Sequence, residues 1–543
     1  MTRALAIGLL VGCALSGVPL RAARAAEPVE LKTLIEKALN EIEAWDTEGA
    51  TRALEELLAQ YPEAPETAWI RGKVLFEQGR YREAVAAFED AKKKSGGTSP
   101  VLEADRKLAE AALDETMNGA VLESAHFVAI AKDPKDKLLL PWAIDGLEAA
   151  YAALTKDLGY EPPTKVRLEV YDSPKALAHV STLTVAEIKA SGTIALCKYN
   201  RLMVTTPRAL LRGYPWMDTL AHEFTHFLVT KKGHNKVPIW LQEGLAKFLE
   251  TRWRGPPGLA IDEFQAVLLE KAAKAKDLIT FAQMYPSMAK LPTQEKTALA
   301  FAEVESAMRM LYARGGQQAL TELVAAMAAG FSDEAAVAQA YGKSFAQFEA
   351  DWHAEILKPR VKRPAVAAPE KKLVFKDDAK AKDESPVPQL KESRAQSAAR
   401  LGNLFFERQR WQPAALEYGK ARTLLREEDP VLGRRYAFAQ LKLKKPIEAS
   451  EALSRVVERD PGDAAAQVLY GQALFLLQQY PESKKAYLAA IALDPFDPVL
   501  QTGLHELGQA TKDAGLIERS TDAIYLLAGR ERPAPAQADA GVQ

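Results

Sequence analysis

Apolar residues recur along this chain with two different periods, and the chain changes character where the period changes. From about residue 27 to 118 the spacing is helical, and the helical pattern itself repeats. Gly72, Leu75, Ala84, Phe88 and Ala91 read as the close-contact and gap-filling positions of a helix pair. Thirty-four residues before Ala84 stands Ala50, with Leu54, Leu57 and Pro62 in matching places. A period near 34 predicts helix-turn-helix units stacked side by side. The pattern returns more strongly after residue 393. Gly402, Phe405, Ala414, Tyr418 and Ala421 form one unit, and Ala437, Ala449, Leu453, Val456 and Pro461 a second. Gly471, Leu474, Ser483, Tyr487, Ala490 and Pro495 form a third. Gly402, Ala437 and Gly471 are 35 and 34 residues apart, and Pro461 and Pro495 are 34 apart. Units in such register predict an all-α solenoid over residues 394–528, with helices past Leu500 to about Leu527 as a cap.

Around Ser124 the helical period gives way. Residues 125–131 and 166–171 are β-rich runs, with an amphipathic helix from about 139 to 158 between them. Residues 192–197 and 201–205 read as a further strand pair joined by a Lys198-Tyr199-Asn200 turn. Helical spacing then resumes and ends around Lys231, Lys232 and Gly233, two cations and a glycine, as helix C-termini prefer. Pro238 suits the first turn of another helix, whose buried side is Trp240, Leu241, Leu245, Phe248 and Leu249. More helices are expected over 260–274, 298–314, 317–329 and 345–357. This predicts an α+β domain at 119–357 between all-α repeat segments at 27–118 and 394–528.

Composition changes this picture mainly at the margins. The chain is 48% apolar and 26% charged, ordinary for globular protein, and its net charge of −1 gives no electrostatic case for nucleic acid or an acidic membrane. Residues 358–393, rich in Lys, Pro, Ala and acidic residues, read as a disordered linker, and residues 529–543 as a disordered tail. At the N-terminus Arg3 precedes an apolar run from Ala4 to Leu20, followed by small residues up to Ala26. That order predicts a secretory signal peptide at 1–26 and an exported, periplasmic or cell-envelope protein, with no transmembrane helix in the mature chain. Leu10-Val11-Gly12-Cys13 also resembles the lipobox of bacterial lipoproteins, which makes Cys13 a candidate lipid anchor. Cleavage near Ala26 leaves Cys197 as the one cysteine, so no intrachain disulfide is expected.

The chemistry concentrates in the helix ahead of Lys231. His222-Glu223-Phe224-Thr225-His226 is an HExxH motif. Residues four apart share a helix face, so His222 and His226 can bind one metal ion, with Glu223 beside them to take a proton from water. Leu220, Phe224, Phe227 and Leu228 form the apolar stripe on another side. Seventeen residues after His226 comes Glu243, within Trp240-Leu241-Gln242-Glu243-Gly244, as a candidate third ligand. Three protein ligands leave a fourth zinc position open for chemistry.

These residues resemble a gluzincin metallopeptidase of the peptidase MA-like group, whose third ligand is a glutamate in a W-L-x-E-G-x-A context. The repeats resemble tetratricopeptide (TPR) repeats, which often accompany it. The resemblance implies a zincin-like fold, Zn2+ held by His222, His226 and Glu243, and Glu223 as general base. It also implies an edge strand, here 192–197, that pairs with extended peptide. Two departures matter. Many gluzincins place a histidine-orienting carboxylate four residues after the glutamate ligand, where this chain has Lys247. A tyrosine expected on a later helix is replaced by Phe301, which cannot donate a hydrogen bond. Tyr285, Tyr312 and Tyr341 are candidate substitutes, Arg252 and Arg254 candidate cleft residues, and His234 a solvated loop residue. Two functions follow. One is an exported zinc metallopeptidase whose TPR repeats bind a protein partner or substrate; the other is a TPR scaffold with a catalytically degenerate zinc domain. The substrate, the TPR ligand and the oligomeric state are not legible in the sequence.

Overall fold

A computed structural model describes residues 27–257, 261, 263–285, 287–288, 291–358, 373–377, 390, 392–425 and 427–533. Residues 1–26, read above as a signal peptide containing Cys13, most of the segment read as a linker and the end of that read as a tail lie outside the described residues. The chain divides into two compact units. Of the described residues, one unit takes those within 27–133, 143–205 and 219–358, and the other those within 134–142, 206–218 and 373–533.

The first unit begins with five helices: α1 (Glu27–Glu43), α2 (Thr47–Gln60), α3 (Pro65–Glu77), α4 (Tyr81–Ser95) and α5 (Pro100–Thr116). Capping explains where they start. The Asp46 carboxylate accepts from the Gly49 amide, Ser99 caps α5, and Pro65 and Pro100 occupy first turns. Gly72 lets α3 lie against the Phe88 ring; a Cβ there would meet Phe88 Cε1 at 2.4 Å.

A five-stranded sheet follows, in the order β1-β2-β3-β5-β4. Strands β2 (Phe127–Ala131), β3 (Val166–Tyr171) and β5 (Arg201–Thr205) run parallel, while β1 (Ala120–Glu123) and β4 (Ala195–Lys198) are antiparallel edges. Helix α6 (Leu140–Leu158) is the crossover from β2 to β3. Three details differ from the sequence reading. Strand β1 was not expected, because four half-exposed residues carry little apolar signal. Two short helices, α7 (Pro174–His179) and α8 (Val185–Ser191), precede β4; the second carries a Thr184–Glu187 capping box. Gly192 is the left-handed C-cap of α8, at φ 72°, so β4 starts at Ala195 instead of residue 192.

Helix α9 (Trp216–Lys232) carries the HExxH motif and α10 (Ile239–Leu249) carries Glu243. Helices α11 (Glu263–Ala275), α12 (Gln294–Ala328), α13 (Asp333–Tyr341) and α14 (Phe345–Ile356) complete the domain. The two helices expected over 298–329 form one element, broken at Gly316, whose φ of 62° and ψ of −153° only glycine adopts readily.

In the second unit, eight helices form four consecutive pairs: α15 (Ser393–Glu407), α16 (Trp411–Leu424), α17 (Pro430–Lys442), α18 (Pro446–Arg459), α19 (Ala464–Leu476), α20 (Tyr480–Ile491), α21 (Pro498–Thr511) and α22 (Ala514–Leu527). Gly402 lies under the Tyr418 ring and Gly471 under Tyr487, each sixteen residues on, the same offset as Gly72 to Phe88. One packing rule therefore builds both sets of repeats. The second unit also takes in residues far away in sequence. Leu210 bridges Phe375, inside the segment read as a linker, and Trp216 Nε1 donates to the Ile491 carbonyl at 2.7 Å. No helix among the described residues is long and apolar enough to cross a membrane.

Candidate metal centre

Helix α9 presents two faces, as its sequence requires. Leu220, Phe224, Phe227 and Leu228 are all buried, with Phe224 against Phe127 of β2 and Tyr151 of α6. The other face carries His222 and His226. The helix ends at Lys232, where Gly233 is required by close approach: a Cβ would meet Val237 Cγ2 at 2.5 Å. Pro238 is the N-cap of α10, one residue before the first turn expected for it. Trp240, Leu241, Leu245, Phe248 and Leu249 are buried as the apolar pattern predicts. Gly244 brings α10 onto α12, with Met308 and Val304 directly against it.

This packing converges three donor atoms. His222 Nε2 and His226 Nε2 are 3.1 Å apart, and each lies 3.5 Å from Glu243 Oε2. A tetrahedral zinc ion with bonds of about 2.0–2.1 Å holds its donors about 3.3 Å apart. Two imidazoles and a carboxylate at these separations fit such a divalent cation, with one corner left to solvent or substrate. The side chains of His222, His226 and Glu243 are 14, 11 and 17% exposed, so the site is sheltered but reachable.

The charge balance points the same way. Glu223, Glu243 and Glu250 crowd two histidines in a largely buried space. Burial holds the Glu223 carboxyl above its usual range, helped by Glu243 and opposed by the two histidines. Burial also opposes the ionised forms of Glu243 and His222, but their mutual contacts win. Glu243 is held far below the usual carboxylate range, and His222 is pushed up to about 10 by Glu243 and Glu250. A divalent cation neutralises this excess of negative charge.

Glu250 is the residue that the sequence reading missed. The expectation of an orienting carboxylate four residues after Glu243 fails at Lys247, but Glu250, seven residues on, fills the place. Its Oε2 lies 3.5 Å from His222 Nδ1, and Lys247 Nζ holds its other oxygen at 2.6 Å. Burial opposes this arrangement too, yet Lys247 and His222 bring Glu250 down to about 2. The available signal was the interval: seven residues make two helical turns and return to the face of Glu243.

The other candidates fall differently. Tyr341 donates to Asp351 at 2.7 Å, Tyr312 packs against the Phe248 ring, and Tyr285 is 76% exposed. Arg252 is committed to Asp157 through Nε at 2.6 Å, and Arg254 lies over Trp253. His234 occupies the turn after α9 at φ 49°. A second cluster, Asp114, Glu115 and His179, is a surface group with Lys132 as counter-ion to both carboxylates.

Strand β4 meets the site directly. Lys198 and Arg201 close a two-residue turn, and the Thr205 amide donates to the Ile194 carbonyl at 2.7 Å. Antiparallel pairs alternate, so the main-chain groups of Ala195 and Cys197 point to the free side of β4. The Cys197 main chain lies close enough to the Glu223 carboxylate to favour its ionised form, against the larger effect of burial.

An HExxH helix with a glutamate donor on the next helix and an edge strand nearby is the arrangement expected of a gluzincin-type metallopeptidase domain. Residues 147–358 match the family model of the Peptidase MA superfamily, and residues 35–100 and 439–498 match the tetratricopeptide repeat. The chain therefore carries a peptidase MA-like domain flanked by TPR repeats. Among solved structures, it is 26% identical to the first TPR domain of Spaghetti (RPAP3) bound to an HSP90 peptide, covering 23% of this chain and 98% of that one (TM-score 0.22). It is 21% identical to the Sgt2 TPR domain from Aspergillus fumigatus, covering 28% and 92% (TM-score 0.21). Native yeast LTA4 hydrolase is 11% identical over 75% of this chain and 64% of that one (TM-score 0.30). At these TM-scores the structural likenesses add nothing to the family matches and the site geometry.

Proposed function

We propose that this protein is a zinc metallopeptidase that hydrolyses peptide bonds, with His222, His226 and Glu243 as zinc ligands and Glu223 as general base. The observation that carries this reading is the triangle of donor atoms, 3.1 to 3.5 Å on a side, with the Glu223 carboxyl next to it. When bound, zinc supplies a Lewis acid that polarises a carbonyl and brings the pKa of water towards neutrality. The chain's own residues do the rest. Glu223 accepts a proton from the attacking water and returns it to the leaving amine nitrogen. Glu250 fixes the ring of His222, and Lys247 keeps Glu250 ionised. The free side of β4 offers the Ala195 main-chain groups and the Cys197 carbonyl to an extended peptide. The repeats at 27–118 and 394–528 bind a protein partner or present substrate, and residues 1–26 direct export; processing at the lipobox instead of near Ala26 is the alternative, and would make Cys13 the lipid-attachment site.

One observation favours the scaffold reading: Phe301 stands where a phenol is expected, while Tyr341 is engaged with Asp351 and Tyr285 is exposed to solvent. Metal content and cleavage of a mixed peptide library, compared between wild type and Glu223→Gln, separate the two. Zinc in both proteins with cleavage by wild type alone is the expected result. Zinc in both without cleavage by either makes the protein a binding module, and a wild type that takes up no zinc refutes the metal site.

A further inference from the structure

The turn between β4 and β5 breaks a local rule. Tyr199 and Asn200 both adopt left-handed conformations, at φ 55° and 57°. Asparagine tolerates this well, but tyrosine does not, and two-residue hairpin turns of this kind favour Asn-Gly. A disfavoured residue persists when contacts outside the turn hold it there.

Those contacts come from the N-terminal helices. The Tyr199 ring meets the Phe76 ring of α3 edge-on at 5.2 Å, and Asn200 Nδ2 donates to the Glu77 carbonyl at 3.2 Å. The next residue, Arg201, is 1% exposed. Its guanidinium faces the rings of Phe76, Tyr81 and Tyr199 at 4.9, 5.1 and 5.5 Å and pairs with Glu169 at 3.0 Å. Glu169, on β3, also accepts hydrogen bonds from Tyr81 of α4 and, at 2.5 Å each, from Tyr171 and Arg167. The repeat helices thus grip the hairpin tip from outside and anchor in the sheet beneath it.

What is fixed there bears on the site. Among the described residues strand β4 is paired on one side only, so its position depends on β5 and on the turn. Cys197, two residues before Tyr199, is the β4 residue whose main chain lies near Glu223, with its main-chain groups on the side of the strand away from β5. We propose that Tyr199 and Asn200 are positioning residues: docked on α3, they hold the free edge of β4 against Glu223, which makes the N-terminal repeats part of the peptide-binding cleft. The catalytic consequence rests on the peptidase reading above; the docking of β4 does not.

The test uses the full chain with the double substitution Tyr199→Asn/Asn200→Gly, which installs the favoured turn sequence while removing both tethers. Tyr199→Phe, which keeps the ring, is the control. Two readouts are taken on zinc-loaded protein. The first is the rate of thiol labelling at Cys197, read on its own tryptic peptide. The second is kcat and KM for a cleaved peptide. Labelling is expected to rise several-fold in the double variant. kcat/KM is expected to fall roughly tenfold, mainly through KM, within the hundredfold that a 1 Å misplacement costs. Zinc content stays the same, and Tyr199→Phe behaves as wild type. Unchanged labelling overturns the docking whether or not the protein cleaves peptides. Faster labelling with unchanged kcat/KM overturns the role in the cleft. A wild type without peptidase activity refutes the peptidase reading and with it the catalytic role, while labelling still decides the docking. Should the double variant lose its helical circular dichroism, Asn200→Gly alone is expected to shift both readouts in the same direction, and no shift in labelling overturns the proposal.

Discussion

Adding one methyl group at Gly244 tests how tightly Glu243 is placed. Gly244 follows the glutamate donor and lies where α10 crosses α12. A Cβ there would come to 2.9 Å from Met308 Cγ, 3.1 Å from the Val304 carbonyl oxygen and 3.4 Å from Val304 Cβ. The methionine can swing aside, but the carbonyl belongs to helix backbone and yields only if α12 moves. Overpacking of this kind costs about 1–3 kcal/mol. Alanine's better helix propensity returns about 1 kcal/mol. Gly244→Ala is therefore expected to lose about 1 kcal/mol, lowering Tm by about 2–4 °C for a domain of 150–250 residues. Glu243 shifts with its backbone, so zinc affinity falls as well. Gly419, within α16, supplies the matched comparison. A Cβ there meets only Tyr436 Cε2, at 3.6 Å, which is ordinary contact. Gly419→Ala is expected to gain roughly 0.5–1 kcal/mol and to leave zinc affinity untouched. Scanning calorimetry on the zinc-free proteins and competition with a chelator for the metal give both numbers. Shifts of the same sign in the two variants, or a Gly244→Ala protein as stable and as tight for zinc as wild type, would refute the packing argument.

Two further outcomes follow from buried carboxyls. Glu250→Gln keeps the shape beside His222 but removes the charge, and zinc affinity is expected to drop about 10–100-fold; an unchanged affinity would deny Glu250 its part in the site. Glu303 is buried on α12, where burial raises its carboxyl to about 8 from an ordinary value near 4.5, despite the Ile279 amide donating to it at 2.9 Å. The folded state therefore holds this proton more tightly than the unfolded chain does. The stabilisation is full below about pH 4.5 and is lost as pH rises towards 8. Glu303→Gln should flatten the fall in Tm between pH 5 and 8, and an identical slope in both proteins would show that another group sets it.

Much of the metal centre could be read directly from the sequence because its information is local. A spacing of four from His222 to His226 puts two imidazoles on one helix face whatever surrounds the helix. The apolar stripe of Leu220, Phe224, Phe227 and Leu228 fixes which face turns inward. The repeats are equally local: a glycine with an aromatic ring sixteen residues on, as in Gly72–Phe88, Gly402–Tyr418 and Gly471–Tyr487, marks three of the helix pairs, and a period near 34 stacks the pairs. Edges were less legible. Strand β1 is short and half exposed, and the start of β4 is set by the left-handed Gly192 that ends α8.

Tertiary structure alone decided the rest. That Glu250 lies 3.5 Å from His222 Nδ1, where the sequence offered Lys247, depends on how α9 and α10 pack. That Tyr199 tolerates a left-handed turn depends on Phe76, more than a hundred residues earlier in the chain. That residues 206–218 belong with the C-terminal repeats depends on Trp216 finding the Ile491 carbonyl. Backbone geometry dictates which residues within a helix share a face, so spacing reveals donors on one element. Which distant residue completes the site is settled by how elements pack, and no spacing in the chain records that.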